Sequence, residues 1–233
     1  MAYTQKIVMS IGGSLIVPGE GIDTQFLINL NDFVRSELMK NNNRQFFLVA
    51  GGGQMARRYR DAGEAVLKHR LVVDDLDWLG IHATRLNAQL LRTIFRDIAH
   101  PYLIKHYEII RKVAEPVVVA AGWKPGWSTD YDAVLLCEDY GIREVINLCN
   151  VEKVYDKDPS KHKDAKEIDK ASWKEFRKIV GDKWTPGMHA PFDPIAAKKA
   201  ESLGVRVAVL SGYDFNNIKN YFNGKKFVGT VIE

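Results

Sequence analysis

The chain has 233 residues, 46% hydrophobic and 27% charged, an ordinary globular composition with enough length to bury a sizeable core. Its net charge of +4 is mild and spread along the sequence, which argues against a nucleic-acid partner, and Cys137 and Cys149 are too few and too far apart for a disulfide scaffold. The six histidines show no HxH or HExxH spacing, and no window approaches about 18 uninterrupted apolar residues, so neither a metal site built from protein ligands nor a membrane is expected and the location is read as cytoplasmic.

Taken in chain order, the first apolar run is Lys6–Ile11, predicted as a strand and followed by SIGGSL. Phe26, Leu27, Leu30, Phe33, Val34 and Leu38 then keep helical spacing, with Asp23 or Thr24 as the N-cap. A second strand, Gln45–Ala50, runs into AGGGQMARR. In the helix that follows, Leu79, Ala83, Leu86, Leu90, Ile94 and Ile98 form an apolar stripe expected to face the core. Further strands are predicted over Pro116–Ala121, Glu144–Leu148, Arg206–Leu210 and Lys226–Ile232. The lysine-rich stretch 157–170 reads as a solvated excursion, and Asp193-Pro194 as a helix start. Alternating strands and helices imply an α/β chain with a largely parallel sheet covered on both faces.

The unusual sequences all follow strands: SIGGSL, AGGGQMARR, AGWKPGWSTD, NVEKVYDKDP and LSGYD. In an open parallel sheet these positions lie at the carboxyl ends, where ligands bind, so five loops are expected to converge on one cleft. Glycine lets backbone N–H groups approach phosphate oxygens, and a following helix N-terminus adds partial positive charge. Gly12, Gly13 and Ser14 have that context, as do Gly51, Gly52 and Gly53. Arg57 is placed to clamp a phosphate bidentately, whereas Arg58 and Arg60 are expected to point elsewhere into solvent. Ser128 and Thr129 are either helix caps or ligand contacts. No GxxxxGK[ST] occurs. One rival pattern does: Gly51, Gly53 and Ala56 satisfy GxGxxA, with Asp74 and Asp75 after Leu71–Val73, the fingerprint of an NAD-binding oxidoreductase.

Six motifs occur in order: GGSL at 12–15, GGGQMARRY at 51–59, DWLGIHATRLNAQLL at 77–91, GWKPGWSTDYDAVLL at 122–136, NVEKVYDKDP at 150–159 and DPIAAKKA at 193–200. With them the chain resembles the amino acid kinase family, in particular its archaeal-type uridylate (UMP) kinases. The resemblance implies a three-layer αβα sandwich around a mainly parallel open sheet. It implies a single domain over 1–233, with an acceptor half over about 1–140 and an ATP half over about 141–233. It also implies transfer of the γ-phosphoryl group of ATP, with Mg²⁺ held through phosphates and water, to UMP, within a homohexamer. Carried over by position, Gly52, Gly53 and Arg57 would hold the UMP phosphate, Asp77 the ribose, and Ser128 and Thr129 would contact UMP across the cleft. Gly12, Gly13 and Ser14 would cradle the transferring phosphates, and Asn150, Tyr155, Asp158 and Lys198 would line the ATP side, with Lys198 offsetting charge. Two positions depart from the family pattern: Ser10 stands where many relatives have lysine, and Lys153 replaces a glycine. The histidine that isopentenyl phosphate kinases place after their glycine loop is absent from 54–58, which favours a nucleotide acceptor. A family member that binds nucleotides without turnover is the other reading these departures keep open.

Overall fold

The computed structural model describes residues 3–19, 21–70, 72–183, 188 and 190–233. The chain runs β1 (Gln5–Ile11), α1 (Gly13–Ile16), α2 (Thr24–Lys40), β2 (Arg44–Ala50), α3 (Gly53–Leu67), a 3-10 turn (Lys68–Arg70) and α4 (Val73–Ile94). It continues through β3 (Val117–Ala120), α5 (Thr129–Tyr140), β4 (Glu144–Cys149), β5 (Val154–Tyr155), β6 (Glu167–Ile168) and β7 (Lys170–Ala171). The last elements are α6 (Trp173–Val180), α7 (Pro194–Leu203), β8 (Arg206–Ser211), α8 (Phe215–Phe222) and β9 (Thr230–Ile232).

Seven strands form one sheet in the order β3-β2-β1-β4-β8-β9-β7. The first five are mutually parallel, β9 is antiparallel to β8, and β7 runs parallel to β9. Strand alternation sorts the core onto two faces. Val8, Phe47, Val118, Val145 and Val207 point to the side covered by α5, α6 and α7, where Leu136, Phe176 and Ala197 lie. Ile7, Met9, Phe46, Leu48 and Ile146 point to the side covered by α1, α2, α4 and α8, where Leu15, Phe33, Leu91 and Ile218 lie. This is the expected three-layer αβα sandwich. Phe33 is 1% exposed, and truncating such a ring to alanine costs about 3–5 kcal/mol.

Several local expectations change. Asp23, not Thr24, caps α2, accepting from the Phe26 amide at 2.8 Å. The run 226–232 forms a strand only over Thr230–Ile232, and the excursion 157–170 carries β6 and the first residue of β7. On α4 the fully buried positions include Ile81, Thr84, Asn87, Ala88 and Leu91, while Leu86 of the predicted stripe is 57% exposed. That rotation turns polar side chains inward, for a reason the loops supply. Val73 opens α4 rather than ending a strand, so Asp74 and Asp75 are exposed first-turn residues and the dinucleotide reading loses its second strand. Leu71 of that reading lies outside the described residues.

Candidate active site

The two glycine loops at the carboxyl ends of β1 and β2 touch backbone to backbone. A Cβ on Gly13 would overlap the Gly53 amide nitrogen and lie 2.6 Å from that of Gly52; one on Gly53 would overlap the Gly13 carbonyl. Gly53 also sits at φ +63°, a left-handed conformation that glycine adopts without steric cost. The glycines are therefore required first by each other, and the same bareness leaves their amides open to a ligand. Gly51 N donates to Ile11 O at 2.9 Å and Gln54 N to Val17 O at 3.0 Å, tying the loops together.

Helix α4 braces this arrangement with the polar residues on its buried face. Asn87 Nδ2 donates to Gly51 O at 2.8 Å and to Gly52 O at 3.2 Å. Thr84 Oγ1 accepts from Gly122 N at 2.9 Å, and Arg85 donates to the carbonyls of Gly122 and Trp123 at 3.1 and 2.8 Å. One helix thus fixes the loops after both β2 and β3. Between them opens a cleft of about 240 Å³, lined by Gly13, the three glycines 51–53, Arg57, Arg60, Asp77, Ser128, Thr129, Asp130 and Asp193, among others.

The cleft has a cationic end and an acidic floor. Arg57 Nη1 donates to Gln54 Oε1 at 3.1 Å and Nη2 to Ser14 Oγ at 3.4 Å, which holds its guanidinium beside the glycine loops. Arg60 lines the same cleft, correcting its expected solvent orientation: residues three apart share a helix face. Asp77 Oδ2 accepts from Gly126 N at 2.7 Å; burial raises its carboxyl, opposed by that bond and by Arg60. Asp130 and Asp193 form the floor. Ser10 Oγ donates to Asp130 Oδ1, and Asp193 N to Asp130 Oδ2, both at 3.1 Å. Burial first, and then the charge of Asp193, push the Asp130 carboxyl up to about 7. Asp193 caps α7 through the amides of Ile195 and Ala196 and accepts from Ser128 Oγ; burial raises it despite those bonds. Ser128 also caps α5, its Oγ accepting from the Tyr131 amide at 3.2 Å, which is the cap reading of the sequence.

A cleft at the carboxyl edge of a parallel sheet, walled by two interlocked glycine loops, suits phosphorylated ligands. The model of the amino acid kinase family matches residues 5–211. This chain belongs to the amino acid kinase family. Among its relatives are the uridylate kinases of Thermoplasma volcanium, 34% identical with 98% of each chain covered, and of Methanocaldococcus jannaschii, 32% identical over 98% of this chain and 99% of the relative. The crystal structure of uridylate kinase from Archaeoglobus fulgidus superposes with a TM-score of 0.80 at 30% identity, covering 98% of this chain and all of the other. A UMP kinase from Bacillus anthracis shares the fold at a TM-score of 0.75 and 18% identity, covering 100% of this chain and 97% of that one.

Within this amino acid kinase, the structure brings Gly13, Gly52, Gly53, Arg57, Asp77, Ser128 and Thr129 onto one cleft. Gly12 and Ser14 flank it, Gly12 N donating to Leu148 O at 2.8 Å. Asn150, Tyr155 and Asp158 do not line it; they follow β4, on the other side of β1 in the sheet order. Asn150 and Asp158 are exposed, and Asp158 accepts from the amide and hydroxyl of Ser160 at 2.9 and 2.6 Å. Lys198 is exposed on α7, away from the cleft lining. Its neighbour Lys199 pairs with Glu138 at 2.7 Å. Sequence reasoning missed Asp130 and Asp193 as cleft residues and Thr84, Arg85 and Asn87 as loop braces. Their signal was present as polar residues at helical spacing on a face that hydrophobicity alone would have left partly apolar.

Proposed function

We propose that this chain transfers the γ-phosphoryl group of ATP to UMP, giving UDP and ADP. The observation that carries the reading is the cleft itself, where bare glycine amides, two arginines and Asp77 share one lining, in a chain whose relatives are uridylate kinases. Arg57 with Gly52 and Gly53 would hold the UMP phosphate, Arg60 adding charge, while the free oxygen of Asp77 accepts from the ribose. Ser128 and Thr129 meet the nucleotide across the cleft. ATP would lie over Asn150, Tyr155 and Asp158, in the half of the chain from about 141 onward, with Lys198 reaching from α7. Gly12, Gly13 and Ser14 stand between the two nucleotides, because β1 lies between β2 and β4.

In the transfer a UMP phosphate oxygen attacks Pγ, the bond from Pγ to the β,γ-bridging oxygen breaks, and ADP leaves. No general base is needed, since the acceptor is already ionised; the protein positions two anions and offsets their charge. Among the described residues no group of three or more His, Cys, Asp or Glu could hold a metal. Mg²⁺ carried by the triphosphate would be met through water by Asp130 and Asp193, the two carboxylates of the cleft floor. The metal would supply charge neutralisation. Among the described residues no helix is long and apolar enough to cross a membrane. A cytoplasmic homohexamer is the assembly we propose; Val66, Val73 and Leu86, at 75%, 61% and 57% exposure on α3 and α4, supply apolar surface for it.

A coupled assay with Mg-ATP against UMP, CMP, AMP and GMP tests this. UMP should be the preferred acceptor. Turnover of an amino-acid carboxylate with no nucleotide turned over would overturn the assignment.

A further inference from the structure

A second cavity of about 330 Å³ lies at the opposite edge of the sheet, where β1, β4 and β8 begin. Strands of six or seven residues put it roughly 20 Å from the carboxyl edge, so it is separate from the nucleotide cleft. Its volume falls in the range of small-ligand sites. The rings of Tyr221, Phe222 and Phe227 form one wall, with Tyr221 and Phe227 locked edge-to-face at 4.8 Å and 86°.

The polar groups around it show which ligand is missing. Acceptors are already engaged: Glu144 accepts from Tyr221 Oη at 2.5 Å, and the Gln5 carbonyl oxygen accepts from Arg44 at 2.7 Å and Asn41 at 3.3 Å. Donors are not. Arg206 Nε is buried without a hydrogen bond among the described residues; Glu144 and Glu233 lie 3.6 and 3.7 Å from it. Lys225 lines the cavity and forms no ion pair among the described residues. Glu233 is balanced by Lys170, and Glu144 by Arg206, which leaves the Lys225 ammonium as surplus positive charge. Surplus donors beside a ring-lined wall complement one kind of molecule.

From this we infer a second binding site for a small planar anion, an aromatic ring bearing a carboxylate or phosphate. Arg206, Lys225 and the Gln5 amide face its charged group, and Tyr221, Phe222 and Phe227 its ring.

The test is ¹⁹F NMR on the full chain with 4-fluorobenzoate and 4-fluorophenyl phosphate, and with neutral 4-fluorobenzamide for comparison. Either anion should bind saturably below about 10 mM, the scale of a weak single-site ligand, and the amide should bind at least about fivefold more weakly. Lys225→Gln, at an exposed position that folding tolerates, should weaken the anions about fivefold or more, and Arg206→Gln likewise. Arg57→Ala, which alters only the nucleotide cleft, should leave this binding unchanged, so the result stands apart from the kinase assignment. Absence of saturable binding, equal binding of the neutral probe, indifference to Lys225→Gln, or loss on Arg57→Ala would each overturn the inference.

Discussion

Replacing Asp130 by asparagine removes one of the two carboxyls from the cleft floor while keeping its shape. The native carboxyl stands up at about 7 against an ordinary 3.8, because it is desolvated and faces Asp193. A raised native pKa means the folded chain holds the proton more tightly than the unfolded chain. The resulting stability is fully present below about pH 4 and is lost as pH rises through about 7. Each unit is worth about 1.4 kcal/mol, and because one side of Asp130 meets the open cleft, screening by water leaves about 2–4 kcal/mol of the total. Asparagine does not titrate. Its carbonyl oxygen can still accept from the Asp193 N–H, now 3.1 Å from Oδ2, while its amide donates to the Ser10 hydroxyl, so both contacts survive the exchange. Asp130→Asn should therefore gain about 2–4 kcal/mol relative to the parent between pH 4 and pH 8. Urea unfolding of both proteins without nucleotide, at unit steps from pH 4 to 8, measures the difference. Parallel stability curves would refute the reasoning, since they would mean the carboxyl titrates alike in both states.

Arg57→Ala should weaken UMP binding by roughly 1.5–3 kcal/mol per charge-assisted bond lost, Arg60→Ala should weaken it less, and Arg58→Ala, outside the cleft lining, should change it little; calorimetric titration with UMP separates the three. Gly13→Ala forces the β1 and β2 loops apart and should lower stability by about 1–3 kcal/mol or more along with phosphoryl transfer, read by thermal melts and kcat together. Lys198→Ala should cut kcat about a hundredfold with UMP affinity kept, whereas Lys199→Ala loses a surface pair with Glu138 worth at most about 1 kcal/mol; an unchanged kcat in single-turnover measurements would remove Lys198 from the reaction. Ser10→Lys should fold and place an ammonium against Asp130, raising kcat if charge at the cleft floor limits the reaction; a fall in kcat would show that the serine hydroxyl is the better partner.

The parallel strands were legible because strands buried on both faces must be nearly continuous apolar runs, as Phe46–Ala50 and Val117–Ala120 are. The two-residue strands β5 to β7 were not, since their pairing depends on distant partners: β7 exists because β9 lies beside it. The run 226–229 reads as strand from Phe227 and Val228, but Asn217 captures Val228 from both sides, its side chain accepting from the Val228 N–H and donating to its carbonyl. The cleft was half legible. Glycine loops and Arg57 announce themselves locally. Asp193 reads equally well as the cap it also is, and only the fold shows that the same carboxyl faces Asp130 across the cleft.

The charges on the cleft lining bear on what Ser10 does at its floor. Arg57 and Arg60 share the lining with Asp77, Asp130 and Asp193, and Arg60 is close enough to Asp77 to oppose the rise of its carboxyl. On the proposed reading, an acceptor phosphate would be met by Arg57 and Arg60. With all three carboxyls ionised the lining carries more negative than positive charge, so a second polyanion would be repelled from the floor. Asp130, raised to about 7, reduces that repulsion by holding a proton part of the time, and the Ser10 hydroxyl, by donating to it, favours the ionised form. A lysine at this position would neutralise the floor permanently. On the proposed reading, a serine would leave that neutralisation to a cation carried by the second nucleotide.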